Sequence, residues 1–432
     1  MAQAGDFITN KRVLLNSPGE RKTELYYLES ETKVDDVETQ VLHGRYETSL
    51  NLFFGTTSNV IIPNSGNFLH HCLLSIKLPP VKDNEFLPRG WGYALLKQIT
   101  WTLGASTQSQ IRLDSKTIFQ TIMEMCRTSE KKASILSLGG QEYTSSSNGE
   151  SVEAIVVLPL PWSSLATGDC AKLGIDTGLL TSQLNVQITL NPASNIYGGS
   201  AVHPTAMEEC FFITREQELS NKHNSLRKEL MNNSEMMLAY PFIRRESSTP
   251  KFTTTETNIT LSIQEFLESD LQGILFSAHL IEDQSNDGGF CPNPLFSLQC
   301  IDLELLYNGQ TIYKLRGKSA ELISMLYNDG SGHIDHSRVS RTSTISGVPS
   351  IPDHSYVYNF PMNMIRQNIS YEKVYSNTMR YPNQTMQLKL KIKNPPNLAQ
   401  GQTGPQPAIV HLTYLYSAVA EIQNGISTIT FA

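Results

Sequence analysis

The chain has 432 residues, of which 39 % are hydrophobic and 17 % charged, with a net charge of −7. That length allows two or three domains, each able to bury its own core, and the acidic balance argues against a surface that coats nucleic acid, which would be basic. No run of 18 apolar residues occurs, so no helical membrane span is expected, and the opening "MAQAGDFITNKRVLL" lacks the basic-then-apolar pattern of a secretory leader.

From the N-terminus, "KTELYYLESETKVDDVETQVL" (22–42) is charged and has no counterpart later in the chain, so it reads as part of an arm. "NFLHHCLLSIKLPPV" (67–81) follows as a strand that Pro79 and Pro80 stop. "LLKQITWTL" (95–103) puts Ile99, Trp101 and Leu103 on one face and Gln98, Thr100 and Thr102 on the other. Ile118, Phe119, Ile122, Met123 and Cys126 then share a helical face behind Asp114-Ser115 as cap. After a polar loop at 138–151, "LNVQITL" (184–190) alternates with period two, the mark of a sheet with one wet face. "REQELSNKHNSLRKELMNNSE" (215–235) is the most charged stretch and reads as a connector.

Beyond the connector the chain repeats itself. "IRLDSKT" at 111–117 meets "YKLRGKS" at 313–319, with Lys116 and Lys318 separated by 202 residues. The same offset links Leu73 to Leu275, Ile99 to Ile301 and Pro159 to Pro361, and Asn191-Pro192 meets Asn394-Pro395 at 203. A constant offset over more than 100 positions is a duplication, and its period is a whole domain rather than a solenoid unit. "MQLKLKI" (386–392) alternates like its partner strand, and Leu322, Ile323, Leu326 and Tyr327 repeat the helical face. Gly317-Lys318-Ser319 is not a phosphate loop, because the first glycine of that motif would fall on Ile312. Many short alternating strands between Gly, Pro, Asn and Ser clusters predict an all-β pair of sandwiches or closed antiparallel folds.

Chemistry-bearing residues are few. His333, Asp335 and His336 lie in a Gly/Ser loop with no third metal partner, so a solvated loop is the simpler reading. His70 and His71 are neighbours in a strand and face opposite sides. Glu124, Glu208 and Glu209 read as surface charge, and Trp91, Trp101 and Trp162 as core or interface rather than a sugar platform. Cys72, Cys126, Cys170, Cys210, Cys291 and Cys300 form no C-x-x-C pair and do not follow the repeat, so free thiols are expected. The sequons at Asn232, Asn258, Asn368 and Asn383 are expected to be unused. No catalytic, cofactor or metal site is assigned.

Several segments in order resemble the double jelly-roll major capsid proteins of icosahedral double-stranded DNA viruses: the nuclear-cytoplasmic large DNA virus, virophage and polinton-like lineage. They are "NSGNFLHHCLLSIKLPPV", "GYALLKQITWTLGASTQSQIRLDSKTIFQTIMEM", "AIVVLPLPWSS" with "LLTSQLNVQITL", and in the second half "LYNGQTIYKLRGKSAELISM", "YVYNFPMNM", "SNTMRYPNQTMQLKLKI" and "AIVHLTYLYSAVAEIQNGISTITFA". The resemblance covers about 45–432; Asn67, Gly104-Ala105 and "LTYLYSAVAEI" depart from the family pattern and leave the virus group open.

The resemblance implies two tandem eight-stranded jelly-roll β-sandwiches with short helices and long loops. The division is an N-terminal arm at 1–44, a first jelly roll at 45–214, a linker at 215–237 and a second jelly roll at 238–432. It implies a non-enzymatic structural virion protein without cofactor, made in the host cytoplasm and located in the capsid shell. It would form pseudo-hexagonal homotrimers that tile an icosahedral shell, with loops 138–151, 192–207, 283–294 and 328–354 rising outward or knitting the trimer. Its partners would be other copies of itself, minor or cement proteins and penton proteins, with no direct nucleic acid and an inner membrane reached only through minor proteins. An assembly scaffold of the same fold and a β-sandwich carbohydrate-binding protein or enzyme are the alternatives.

Overall fold

The computed structural model describes residues 13–14, 44–63, 68–82, 85–87, 90–102, 110–114, 118, 134–135, 137–141, 143–144, 150–158, 175–177, 183–197, 203–217, 236–263, 271–280, 298–316, 358–361, 386–393, 407–423 and 426–431. β5 (Phe86–Leu87) and β8 (Tyr143–Thr144) pair as a separate two-stranded sheet, and β1 (Val13–Leu14) joins a sheet of the second half.

The first half holds two antiparallel sheets. One contains β2 (Gly44–Ser49), β4 (Phe68–Leu78), β9 (Val152–Leu158), β10 (Ile175–Asp176) and β12 (Glu209–Gln217). In it β12 lies between β2 and β4, and β4 carries β9 and β10 along its other edge. The second sheet, in spatial order, is β3 (Thr57–Ile62), β11 (Leu184–Leu190), β6 (Leu96–Thr102) and β7 (Gln110–Asp114). Strands that neighbour in space are far apart in sequence, which is the winding of a jelly roll. Alternation places Leu74, Ile76, Val156 and Phe212 of the first sheet in one core with Val60, Ile99, Trp101, Val186 and Ile188 of the second. β4 ends at Leu78, immediately before Pro79-Pro80.

The second half repeats the winding. β13 (Met236–Phe252), β20 (Ala408–Gln423), β15 (Leu271–Leu280) and β18 (Tyr358–Pro361) form one sheet in that order. β14 (Glu256–Ile263), β19 (Met386–Lys393), β16 (Gln299–Tyr307) and β17 (Gln310–Arg316) form the other. Met386, Leu388, Leu390 and Ile392 of β19 are buried, as the period-two pattern predicts. β16 turns into β17 through Asn308-Gly309, both at positive φ (49° and 78°), the two-residue hairpin that Asn-Gly favours.

Two additions flank this half. β21 (Ile426–Phe431) pairs with β20, and β1 pairs in parallel with the start of β13, Val13 opposite Met236 and Leu14 opposite Met237. β12 runs to Gln217 and β13 begins at Met236, so both extend into the stretch read from sequence as the linker.

Ladder register tests the duplication strand by strand. Leu73 stands opposite Val157 and Leu275 opposite Asn359, so the offset of 202 holds for both members of each pair. One landmark shifts. Ile99 lies between Leu113 and Ile188, and the residue between their counterparts Leu315 and Leu390 is Leu303, not Ile301. A two-residue slip keeps the inward face inward, so alternation alone does not reveal it; a register irregularity between Cys300 and Asp302 lies beside it.

The region before β6 also differs from expectation. Trp91–Leu95 is a short helix, α1, and all five of its residues are buried. With no wet face it has no amphipathic period to read. Of the first predicted helix only Ile118 is described, helical and buried; the second lies outside the described residues.

Candidate functional site

The residues singled out from sequence do not converge. His70 and His71 lie in β4. Glu208 and Glu209 sit at the surface with Lys77 between them, at 3.8 and 3.9 Å. Trp91 and Trp101 are fully buried core residues. Cys72, Cys210 and Cys300 are buried thiols outside any disulfide, and burial pushes all three up, Cys210 to about 12. Asn258 lies in β14 and is exposed. Glu124, Trp162, His333, Asp335, His336, Cys126, Cys170, Cys291, Asn232, Asn368, Asn383, Asn394 and Pro395 lie outside the described residues. Among the described residues no group of three His, Cys, Asp or Glu is placed to hold a metal, and no helix is long and apolar enough to cross a membrane.

One polar cluster lies inside the first jelly roll. Glu85 is fully buried; its Oε2 accepts from the Lys82 backbone N–H at 3.0 Å, while Oε1 has no hydrogen-bond partner. Nδ1 of His203 is 4.0 Å from that Oε1, too far for a direct bond. Tyr197 stacks on His203 with ring centroids 5.9 Å apart, and its hydroxyl is buried without a partner. Burial pushes the Tyr197 phenol up and Glu85 adds to this. Burial lowers His203, with Glu85 opposing in part. One carboxylate, one neutral imidazole and one phenol offer neither a nucleophile–base pair nor the paired carboxylates of a glycosidase. No local pattern marks this cluster, because Glu85 and His203 come from separate loops.

A second buried arrangement fastens α1. The Asn191 side chain donates to the carbonyls of Ala94 (2.8 Å) and Leu96 (3.3 Å), and its backbone N–H donates to Leu95 O. Around α1, Gly90 and Gly92 donate to the carbonyls of Gly140 and Gly139. This is structural chemistry, and it points away from a pocket and toward surfaces.

The outward faces of the two four-stranded sheets differ. On the first, one ladder row reads Asn59, Gln187, Thr100, Arg112, and the next reads Thr57, Thr189, Gln98, Asp114. Thr100, expected to be wet, is buried and accepts from Gln98 Nε2 at 3.2 Å. On the second sheet the matching rows are charged: Asn258, Lys391, Asp302, Arg316, then Thr260, Lys389, Glu304, Lys314. Lys391 holds Glu256 at 2.8 Å and Lys314 holds Glu304 at 3.3 Å. Two sandwiches of one winding thus present two surface chemistries.

No protein-family model and no curated protein sequence matches the chain, but solved structures do. VP54 of PBCV-1, fitted into a cryo-EM reconstruction of the virophage Sputnik, is similar at TM-score 0.59 and 11 % identity, over 90 % of this chain and 97 % of that one. The chain has the double jelly-roll fold of viral major capsid proteins. The same double jelly roll is found in the cryo-EM structure of the Sputnik virophage (TM-score 0.56, 11 % identity, 96 % of this chain and 92 % of that one). The mavirus major capsid protein is similar at TM-score 0.53 and 9 % identity, over 96 % and 97 % of the two chains. Conserved winding at this identity means that the double jelly roll is held by alternation and register rather than by particular side chains.

Proposed function

We propose that this double jelly roll is a major capsid protein: a structural, non-enzymatic component of a virion shell. The observation that carries the reading is the pair of two-sheet antiparallel sandwiches of the same winding in one chain, a fold shared over nine-tenths or more of the chain with viral capsid proteins. The division is 1–44 arm, 45–214 first jelly roll, 215–237 linker and 238–432 second jelly roll. Three such chains give six similar barrels, so a three-fold assembly has a nearly hexagonal outline that tiles a facet. Minor, cement and penton proteins would complete the shell, and the acidic chain would not hold nucleic acid directly.

The test is the solution mass of the recombinant chain by light scattering after gel filtration. A trimer of about 145 kDa, three times 48.2 kDa, is expected; a monomer overturns the trimeric reading, and a monomer that binds glycans points to a carbohydrate-binding sandwich. An assembly scaffold of the same fold would also be trimeric, and its absence from purified mature particles would identify it.

A further inference from the structure

We infer that Glu85, Tyr197 and His203 enclose a binding site for one water molecule, which bridges the carboxylate to the imidazole and so fastens the connection between β11 and β12 to the one between β4 and β5. The inference does not depend on the trimeric reading above.

Three polar atoms carry it. Glu85 Oε1, His203 Nδ1 and the Tyr197 hydroxyl are each buried without a hydrogen-bond partner, and Glu85 as a whole is fully buried. They belong to one cluster: Oε1 and Nδ1 are 4.0 Å apart, and the Tyr197 ring stacks on that of His203. Glu85 also raises the Tyr197 phenol, so the hydroxyl lies in the field of that carboxylate. Buried polar groups in native proteins are nearly always hydrogen-bonded, and leaving one unsatisfied is unfavourable. Three such atoms in one place mark a shared partner rather than three separate defects.

The side chains are not free to close on one another. Glu85 is fastened twice to Lys82: its backbone N–H donates to Lys82 O at 3.0 Å, and its Oε2 accepts from the Lys82 N–H, also at 3.0 Å. His203 is held by its stack on Tyr197. Tyr197 in turn makes a T-shaped contact with Phe54, ring centroids 6.3 Å apart, and its backbone N–H donates to Ala193 O at 2.9 Å. The separation of carboxylate and imidazole is therefore built into the surrounding packing.

That separation selects the occupant. At 4.0 Å a direct hydrogen bond is out of reach, yet one water beside the line between the two atoms can stand about 2.7–3.2 Å from each. A tetrahedral metal would hold its ligands roughly 3.4 Å apart and takes four of them, and this cluster supplies one imidazole, one carboxylate and a phenol whose proton is held more firmly than usual. An anion is repelled by Glu85. Water fits the chemistry: it donates to the carboxylate, which only accepts, and it can donate to or accept from the neutral imidazole and the phenol. Buried waters typically make about three such bonds. The bridge fixes where the 192–207 loop sits, one of those expected to rise outward or knit the trimer.

The experiment is a crystal structure of the full chain at a resolution that shows ordered water. A single peak within about 2.7–3.2 Å of Glu85 Oε1, His203 Nδ1 and the Tyr197 hydroxyl is expected. No peak at that place, a direct Glu85–His203 bond, or a peak with the anomalous signal of a metal overturns the inference. A second readout needs no crystal and tests the fastening. Glu85→Leu and His203→Leu should each lower the urea midpoint, and the double variant should lower it by clearly less than the sum, because one bridge is lost only once. Additive losses would mean that the two residues are not joined, and the inference fails whatever the oligomeric state.

Discussion

The side-chain amide of Asn191 donates to the carbonyl of Ala94 at 2.8 Å and so ties the end of β11 to α1, 97 residues earlier in the chain. Asn191 is itself buried, and its carbonyl accepts from the Gly55 N–H at 3.1 Å. One residue therefore closes three segments at the rim of the first jelly roll. Asn191→Ala would leave the Ala94 and Leu96 carbonyls buried without that donor, and an unmade buried bond costs about 1–3 kcal/mol. Thermal unfolding should show that loss. Asn191→Asp should be no better, since a carboxylate cannot donate to a carbonyl.

Gly139 and Gly140 form the seat of α1. A Cβ on Gly139 would lie 2.5 Å from Tyr93 Cε2, and one on Gly140 would lie 2.5 Å from Trp91 Nε1. Both rings are fully buried and have no room to withdraw. Gly140 also has φ +119°, which side-chain-bearing residues rarely adopt. Alanine at either site should destabilise by about 1–3 kcal/mol through overpacking, and Gly140→Ala should be the worse because backbone strain adds to the clash. Urea midpoints of the two variants check the order.

The strands of this fold were legible in the sequence wherever one face is wet. β11 and β19 alternate without exception, and their buried residues are the predicted ones. The duplication was legible in part because Leu73 and Leu275, and Ile99 and Ile301, sit on strands. α1 was hidden because a helix buried on all sides has no period. The slip at β16 was hidden because a two-residue shift preserves alternation. The hairpin at Asn308-Gly309 is encoded locally, as an Asn-Gly dipeptide between two alternating strands. Asn191 stood out only as a landmark of the repeat; that it donates to α1 depends on a contact across 97 residues, which no local pattern encodes.

His203 should give the fold a measurable pH dependence. The groups facing its ring are Glu85 and Tyr197. Burial lowers its pKa below the ordinary 6.5 despite Glu85. The unfolded chain therefore takes up a proton near pH 6.5 while the folded chain does not. The favourable contribution is complete above that value and is lost as pH falls from there through the folded pKa. Denaturant midpoints at pH 7.5 and 5.5 should fall further for the wild type than for His203→Gln, which carries no titrating group. Equal falls for the two proteins would mean that other groups account for the dependence.

The charged rows on β19 should matter less to folding than the apolar rows beneath them. Lys391 reaches Glu256 at 2.8 Å and holds that carboxyl below its usual range, chiefly through the hydrogen bond. The pair is solvated and screened, and exposed pairs of this kind contribute little. Leu390, one residue earlier, is 2 % exposed in the core of the second jelly roll. Leu390→Ala should cost about 2–5 kcal/mol through lost burial and the cavity left behind, whereas Lys391→Ala should leave the unfolding midpoint nearly unchanged at physiological salt. If the two variants lost comparable stability, the ion-pair ladder and not the sandwich core would be holding β14 to β19. The low identity at which other chains keep this fold would then be hard to explain, because that ladder depends on particular charged residues and the core depends only on apolar ones.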